Sequence, residues 1–234
     1  MKKYLAIGAL ALVSFTSAAQ ADPGFYGDLR GGAAMVDNMF SADRLTDLAI
    51  NPRTGWSLQG GVGYRFDAPV RLELQAGYQH SNVRATYREL VQVTIPCGTV
   101  PAQPCLDPNV TGSVKGPSVF AMGYYDLPLG DRLTLSLGAG VGAQRVNVDL
   151  STIARMNSGT SSQFSIVDAG DTVFAGRGAA ELAYNVGPVD LTVGYSFTRT
   201  GKATLPVKGA YIPTSSFSDN LSTHQITGGV RFTF

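Results

Sequence analysis

Leu137-Gly138-Ala139-Gly140-Val141-Gly142 has the glycine density of a loop that cradles phosphate with bare backbone N–H groups. Such a loop must turn from strand into helix at the glycines. Here an alternation of apolar and small residues runs straight through, so the glycines are expected to leave space for large side chains on neighbouring strands. His80-Ser81-Asn82 sets a base beside a hydroxyl, the ingredients of a hydrolase or acyltransferase. On an extended strand adjacent side chains leave opposite faces, so His80 is poorly placed to activate Ser81. The chain has 2 histidines, and neither His80 nor His224 stands at metal-ligand spacing with a cysteine or carboxylate. No catalytic residue, metal or cofactor is therefore expected.

Charge offers a different chemistry. Asp28, Arg30, Arg65, Arg71, Glu73, Asp126, Arg177, Glu181, Asp190 and Arg231 fall at alternating positions inside apolar stretches, which gathers them on the face away from the apolar residues. If that face lines a narrow interior, acids and arginines must pair across it, because an unpaired buried charge costs several kcal/mol.

The elements that position these residues are strands. Eight segments alternate with period two. The first, Phe25 to Met35, sets Phe25, Leu29, Ala33 and Met35 against Tyr26, Asp28 and Arg30. Trp56 to Phe66 sets Trp56, Leu58, Val62, Tyr64 and Phe66 against Ser57, Gln59 and Arg65. Val70 to His80 sets Leu72, Leu74, Ala76 and Tyr78 against Arg71, Glu73, Gln75 and Gln79. The fourth, about Ser118 to Leu127, is apolar on both faces, and only Asp126 marks which side turns inward. The fifth exports Leu133, Leu135, Leu137, Ala139 and Val141, and the sixth Phe174, Gly178, Ala180, Leu182 and Tyr184, with Arg177, Glu181 and Asn185 inside. Leu191, Val193, Tyr195 and Phe197 face away from Asp190, Thr192, Ser196 and Thr198. The last segment separates Ile226, Gly228, Val230, Phe232 and Phe234 from Gln225, Thr227, Gly229, Arg231 and Thr233.

Connections alternate in length. Asp67-Ala68-Pro69, Pro128 to Arg132, and Gly187-Pro188 are tight turns, whereas long excursions occupy about 36–55, 81–117, 145–172 and 199–223. With the first strand ascending, Phe25, Tyr64, Phe66, Tyr125, Tyr184, Phe232 and Phe234 collect at one rim and Trp56, Tyr78, Phe174, Tyr195 and Phe197 at the other, the two aromatic girdles of a membrane barrel. Lys2 and Lys3, an apolar run from Leu5 to Val13, and Ala19-Gln20-Ala21 read as a signal peptide over residues 1–21, cleaved so that Asp22 begins the mature chain. The run is shorter than the roughly 18 residues of a membrane helix. Residues 22–234 then form a single all-β domain, an eight-stranded antiparallel up-and-down transmembrane β-barrel with short periplasmic turns, four long extracellular loops and both termini in the periplasm. Lys+Arg 18 against Asp+Glu 17 leaves no basic field for nucleic acid.

The pattern from Phe25 to Phe234 resembles the eight-stranded outer-membrane β-barrel family of Gram-negative bacteria, including the barrel domain of outer-membrane protein A, the opacity-type surface proteins and the small outer-membrane proteins of α-proteobacteria. Its most specific part is the terminal Val230-x-Phe232-x-Phe234, similar to the signal read by the barrel assembly machinery. The resemblance implies an outer-membrane surface protein whose loops meet an extracellular ligand, for adhesion, envelope integrity or contact with host or phage. A narrow channel for small solutes is the second reading. A lipid A-modifying enzyme is the third, since some small barrels of this kind deacylate or palmitoylate lipid A.

The loops carry further expectations. Cys97 and Cys105 share one excursion, and in an exported chain they read as a disulfide contributing about 2.5–3 kcal/mol, against the alternative of two inert thiols. Arg84 to Ile95 alternates, so the third strand is expected to continue above the membrane. Ser41 to Ile50 reads as a short helix with Ser41 as N-cap and Asn51-Pro52 as its stop. Outer-membrane lipid is the expected surrounding, and Arg84, Arg88, Arg145 and Arg155 are candidates for lipopolysaccharide phosphates. Toward the outer half the lining is Ser57, Gln59, Gln75, Gln79, Gln144, Ser196, Thr198, Gln225 and Thr227, neutral and able to hold water.

Overall fold

The computed structural model describes residues 23–37, 39–43, 46–52, 54–89, 105–106, 109–155, 161–207 and 215–234. All regular structure among them is β. The strands are β1 (Gly24–Val36), β2 (Met39–Asp43), β3 (Thr46–Pro52), β4 (Gly55–Arg65), β5 (Val70–Glu89), β6 (Cys105–Leu106), β7 (Asn109–Pro128), β8 (Leu133–Arg155), β9 (Ser161–Asn185), β10 (Val189–Val207) and β11 (Ser215–Thr233).

Eight of them close on themselves. Around the wall the order is β1, β4, β5, β7, β8, β9, β10, β11, and β11 returns to β1 through an antiparallel register from Tyr26 opposite Thr233 to Val36 opposite Thr223. Closure satisfies the edges of these eight strands within the belt, the condition for carrying a sheet through lipid. Tight turns join three pairs. Phe66 N–H donates to Val70 O at 3.1 Å, Leu129 N–H to Leu133 O at 2.8 Å and Val186 N–H to Val189 O at 2.9 Å. In the last, Gly187 adopts φ +100°, a conformation that side-chain-bearing residues rarely take, and the Asn185 side chain ties its N–H at 3.2 Å.

The described parts of the excursions are mostly strand. β8 and β9 run to Arg155 and from Ser161, well beyond the roughly 9–11 residues that cross a bilayer. Residues 145–155, 161–172, 199–207, 215–223, 81–89 and 109–117 therefore belong to the barrel wall rather than to loops, because the hairpin ladders continue through them, with bulges at Leu150/Ser151 and Arg199/Lys202. β5 continues past His80 as expected, while residues 90–95 lie outside the described set. The expected helix over Ser41 to Ile50 is not formed. That segment is the β2–β3 hairpin, Met39 opposite Ile50 and Asp43 opposite Thr46, and β3 pairs with the far end of β5. The unsatisfied edge of a protruding strand outweighs a weak N-cap signal.

Polarity reverses along the long strands. Within the belt the outward residues are apolar and exposed, as with Leu72 and Leu74 on β5 or Val141 on β8, while the inward ones are polar. Beyond it the outward positions become Asn82, Arg84, Lys115, Arg145, Asn147, Asp149, Thr172 and Arg199, and the inward ones Val36, Val83, Val114, Val146, Val148, Leu150, Val173 and Leu221, all buried. A bulge between Arg199 and Lys202 keeps Ala203 inside. The wall leaves lipid at the reversal: below it the outside is hydrocarbon, above it water. The half of the interior at the long-strand end is thus capped by an apolar layer, not only lined by small neutral groups, because strands that stand in water bury their apolar face inward.

A closed wall of this kind has no edge from which unfolding can start. The protein is expected to need detergent or lipid and to migrate differently in a denaturing gel before and after boiling. Identical migration, with solubility in plain buffer, would contradict the barrel.

Candidate functional site

β7 and β8 build the first part of the interior. Phe120, Met122 and Tyr124 point inward, each less than 4% exposed, which settles the facing of the strand that was apolar on both sides. Opposite them in register stand Gly142, Gly140 and Gly138. A Cβ at Gly138 would overlap the Tyr124 ring, and one at Gly142 would sit 2.8 Å from Phe120 Cδ1. The three glycines are bare so that three large side chains can cross the lumen, and no phosphate loop exists here.

The charged layer sits beside them. Glu73 on β5 accepts from Arg30 Nη2 at 2.8 Å, Arg71 Nη1 at 2.8 Å, Tyr26 Oη at 2.8 Å and Gln75 Nε2 at 2.6 Å. Glu181 on β9 accepts from Arg71 Nη2 at 3.0 Å and from Arg231, and lies 3.2 Å from Arg30 Nε. Asp28 pairs with Arg30 at 2.9 Å, Asp126 with Arg71 at 3.0 Å and Arg65 at 3.7 Å, and Asp190 with Arg231 at 3.7 Å. Seven of the eight wall strands, all but β8, are thereby bridged, with Arg71 fully buried. Its guanidinium lies 4.0 Å from the Tyr124 ring centroid.

Arg177 departs from the expected pairing. Among the described residues it makes no ion pair, and instead donates to Thr198 Oγ1 at 3.0 Å, Gln75 Oε1 at 3.1 Å and Gln59 Oε1 at 3.3 Å while stacking 4.0 Å over Phe120. Three neutral acceptors and an aromatic face replace a carboxylate, which the neutrality of the ten-residue set as a whole permits. The sequence reading missed the cation–π floor of Phe120, Tyr124 and Tyr26. Aromatics at inward parity beside inward arginines were the available signal. Above this layer Gln59, Gln79 and Gln225 join through hydrogen bonds of 2.6 and 3.2 Å, with Ser196 donating to Gln225. Beside Arg30, Gln75, Arg177 and Glu181 the interior leaves a void of about 20 Å³, room for about one water.

The remaining sequence candidates are scattered. Ser81 is buried inside while His80 stacks outside on Trp56, ring centroids 6.1 Å apart, so the two face opposite sides of the wall. Among the described residues no group of three metal-ligating side chains forms. Phe234 ends the chain with its N–H bonded to Phe25 O at 2.9 Å and its ring 86% exposed, beyond exposed Phe232 and half-buried Val230. Cys105 lies on β6, opposite Arg155 on β8, but Cys97 is outside the described residues, as are Ala19 and Ala21. The side chains of Arg88 and Arg155 are outside them too.

A closed eight-stranded barrel with a filled polar core and an apolar belt is the architecture of an outer-membrane protein. The family model of the outer membrane protein beta-barrel domain matches residues 5–234, and the chain belongs to that family. No curated relative matches. Among solved structures, the chain is similar to Neisserial surface protein A, with 21% identity and a TM-score of 0.51 over 90% of this chain and 97% of that one. Similarity to Ail, the attachment invasion locus protein of Yersinia pestis, is 17% identity and TM-score 0.43 over 89% and 99%. For OprG of Pseudomonas aeruginosa the values are 13%, 0.47, 90% and 97%. At such identities the likeness is one of fold.

Proposed function

We propose that this outer-membrane barrel is a closed, non-enzymatic display protein whose long-strand end projects outside the cell and meets an extracellular ligand, with both termini and the tight turns in the periplasm. The observation that carries this reading is the filled interior. Three bulky side chains lie side by side with a network of four arginines and five carboxylates, Arg177 is held by neutral acceptors, an apolar layer lies beyond them toward the long-strand end, and the interior void described above is about 20 Å³. A charge cluster that is already paired gains little from admitting ions.

Several parts of the reading concern biogenesis and surroundings. Export would follow cleavage after Ala21, with Ala19 completing the site. The exposed Phe234 and the outward Val230 and Phe232 stripe would be offered to the barrel assembly machinery. A Cys97–Cys105 disulfide would tie the connection between β5 and β7 beside the end of β8, in an oxidising compartment. Lipopolysaccharide would surround the upper belt.

The test is a planar-bilayer recording of the refolded full chain. The expected result is no steady conductance. A large, stable open state in the unmodified protein would replace display with a solute channel.

A further inference from the structure

Beyond the belt the wall splits. The ladder between β9 and β10 stops at Ala175 opposite Thr200, where β10 bulges between Arg199 and Lys202. β9 stays paired with β8 as far as Ser161 opposite Arg155, and β10 with β11 as far as Val207 opposite Ser215. Among the described residues, 161–174 of β9 therefore have a ladder on one side only, and a cleft divides them from β10. One side chain bridges it. Asp171 Oδ1 accepts the Thr172 N–H at 2.8 Å, and its Oδ2 accepts the Thr204 N–H at 3.0 Å. A donor from each bank thus meets the same carboxylate, which stands where the carbonyls of an intervening strand would be. Backbone donors alternate sides along a strand, so the N–H groups of Asp168 and Gly170 face the cleft together with that of Thr172.

The two banks are not equivalent. On β10 the positions in step with Thr204 are Lys202 and Pro206, and Pro206 has no N–H to offer. A lysine, a proline and a bulge are the features by which an edge resists a further strand. β9 from 161 to 176 contains neither lysine nor proline, and its charges are Asp168 and Asp171. Asp168 is exposed and directly opposite Asp149, so the Lys115 ammonium, 2.7 Å from Asp149, serves two carboxylates. Arg145 faces Thr172 from β8, one strand further from the cleft. On the inner side, Val173, Ala203 and Leu221 make the interior apolar at this level. β2 and β6, which end the sheet order, are 5 and 2 residues long, too short to hold a guest strand.

We propose that the cleft edge of β9 receives an extended, basic segment of a partner polypeptide as an added strand. The inference rests on the long-strand end being extracellular, as argued above, and names the class of ligand met there. Backbone donors and acceptors along residues 161–174 supply the ladder. Pleating sends alternate guest residues to the apolar interior and to water, so the guest alternates apolar and polar residues. Its outward lysines or arginines meet Asp168 across the new pair of strands. The Asp171 carboxylate leaves the cleft as guest carbonyls take over its two donors.

The experiment uses the full chain folded in zwitterionic detergent and a labelled decapeptide that alternates lysine and valine, with binding read by fluorescence anisotropy and folding by the gel shift. Two control peptides accompany it, one with the lysines and valines segregated into blocks, the other N-methylated at every amide. The alternating peptide is expected to bind, and both controls to bind about tenfold more weakly or worse. Asp168→Lys is expected to weaken binding about fivefold. Asp168→Pro, which also removes a cleft-facing N–H, is expected to weaken it further, and Asp168→Lys carries the test if the proline variant fails to fold. Asp171→Ala removes an acid, yet it is expected to bind the peptide about threefold more tightly, because it uncovers the Thr172 and Thr204 donors. Equal binding of either control peptide, weaker binding by Asp171→Ala, or unchanged affinity in the Asp168 variants would overturn the added strand. Self-association of the chain that the peptide reverses would make a second copy the occupant and overturn the foreign partner. Protease accessibility of the long-strand end on intact cells separates the two levels. If that end is outside and the peptide does not bind, only the strand-accepting edge fails. If it is inside, the display reading fails whichever way the peptide behaves.

Discussion

Glu181→Ala is expected to destabilise the barrel by about 3–5 kcal/mol, the cost of stranding a buried charge. Glu181 receives Arg71, Arg231 and Arg30 in a pocket where its side chain is 4% exposed. The loss falls unequally. Arg71 keeps Glu73 and Asp126, and Arg30 keeps Asp28 and Glu73, but Arg231 retains only Asp190 at 3.7 Å. The double variant Glu181→Ala, Arg231→Met should therefore recover part of the loss, since it removes the charge that the first substitution leaves alone. Denaturant unfolding followed by the gel shift measures both, and bilayer recordings of Glu181→Ala are expected to show more conductance than those of the unmodified protein. An unchanged midpoint together with unchanged conductance would mean that the paired interior neither holds nor seals the barrel.

Gly140→Ala is expected to be at least as damaging in cells, where little protein should reach the folded, heat-modifiable state. An added Cβ would overlap the carbonyl oxygen of Ala121 as well as Met122 Sδ. A side chain can swing away; the backbone of the paired strand cannot, and forced overpacking costs about 1–3 kcal/mol or more. Gly138 differs in a way that makes the argument testable, because the nearest atoms to its added Cβ all belong to the Tyr124 ring. Tyr124→Ala should thus rescue Gly138→Ala, whereas Met122→Ala should not rescue Gly140→Ala. Ala139→Val, on the outward face between them, should fold normally. If both glycine variants assembled as well as Ala139→Val, the close approach of β7 and β8 would be excluded.

Much of this protein is dictated locally. Period-two alternation set which side of each belt strand meets lipid except on β7, where only Asp126 marked it, and Asp28, Arg30, Arg71, Glu73, Glu181 and Arg231 lie inside because their neighbours at odd spacing are apolar or glycine. Even the bare glycines of β8 could be read as space for something large, since alternation through them forbids a turn. These inferences needed only the pleat, in which a residue's face follows from its parity.

Other features depended on which strands become neighbours. Nothing local to Gly138-x-Gly140-x-Gly142 says that Tyr124, Met122 and Phe120 fill its gaps, because the β7–β8 register is fixed by closure of the whole wall. The same holds for Arg177, whose partners Gln59, Gln75 and Thr198 come from three other strands, and for the hairpin at Met39–Pro52, which forms because β5 offers it an edge. The reversal of polarity near Arg84, Arg145 and Arg199 is written in the sequence as a shift of the apolar residues to the other parity. Only the pairing of the strands shows that the chain there is still wall, with water outside it and an apolar interior within. Parity is a property of one strand and survives in one dimension, whereas register, closure and the identity of a buried partner belong to pairs of strands and exist only once the barrel has closed.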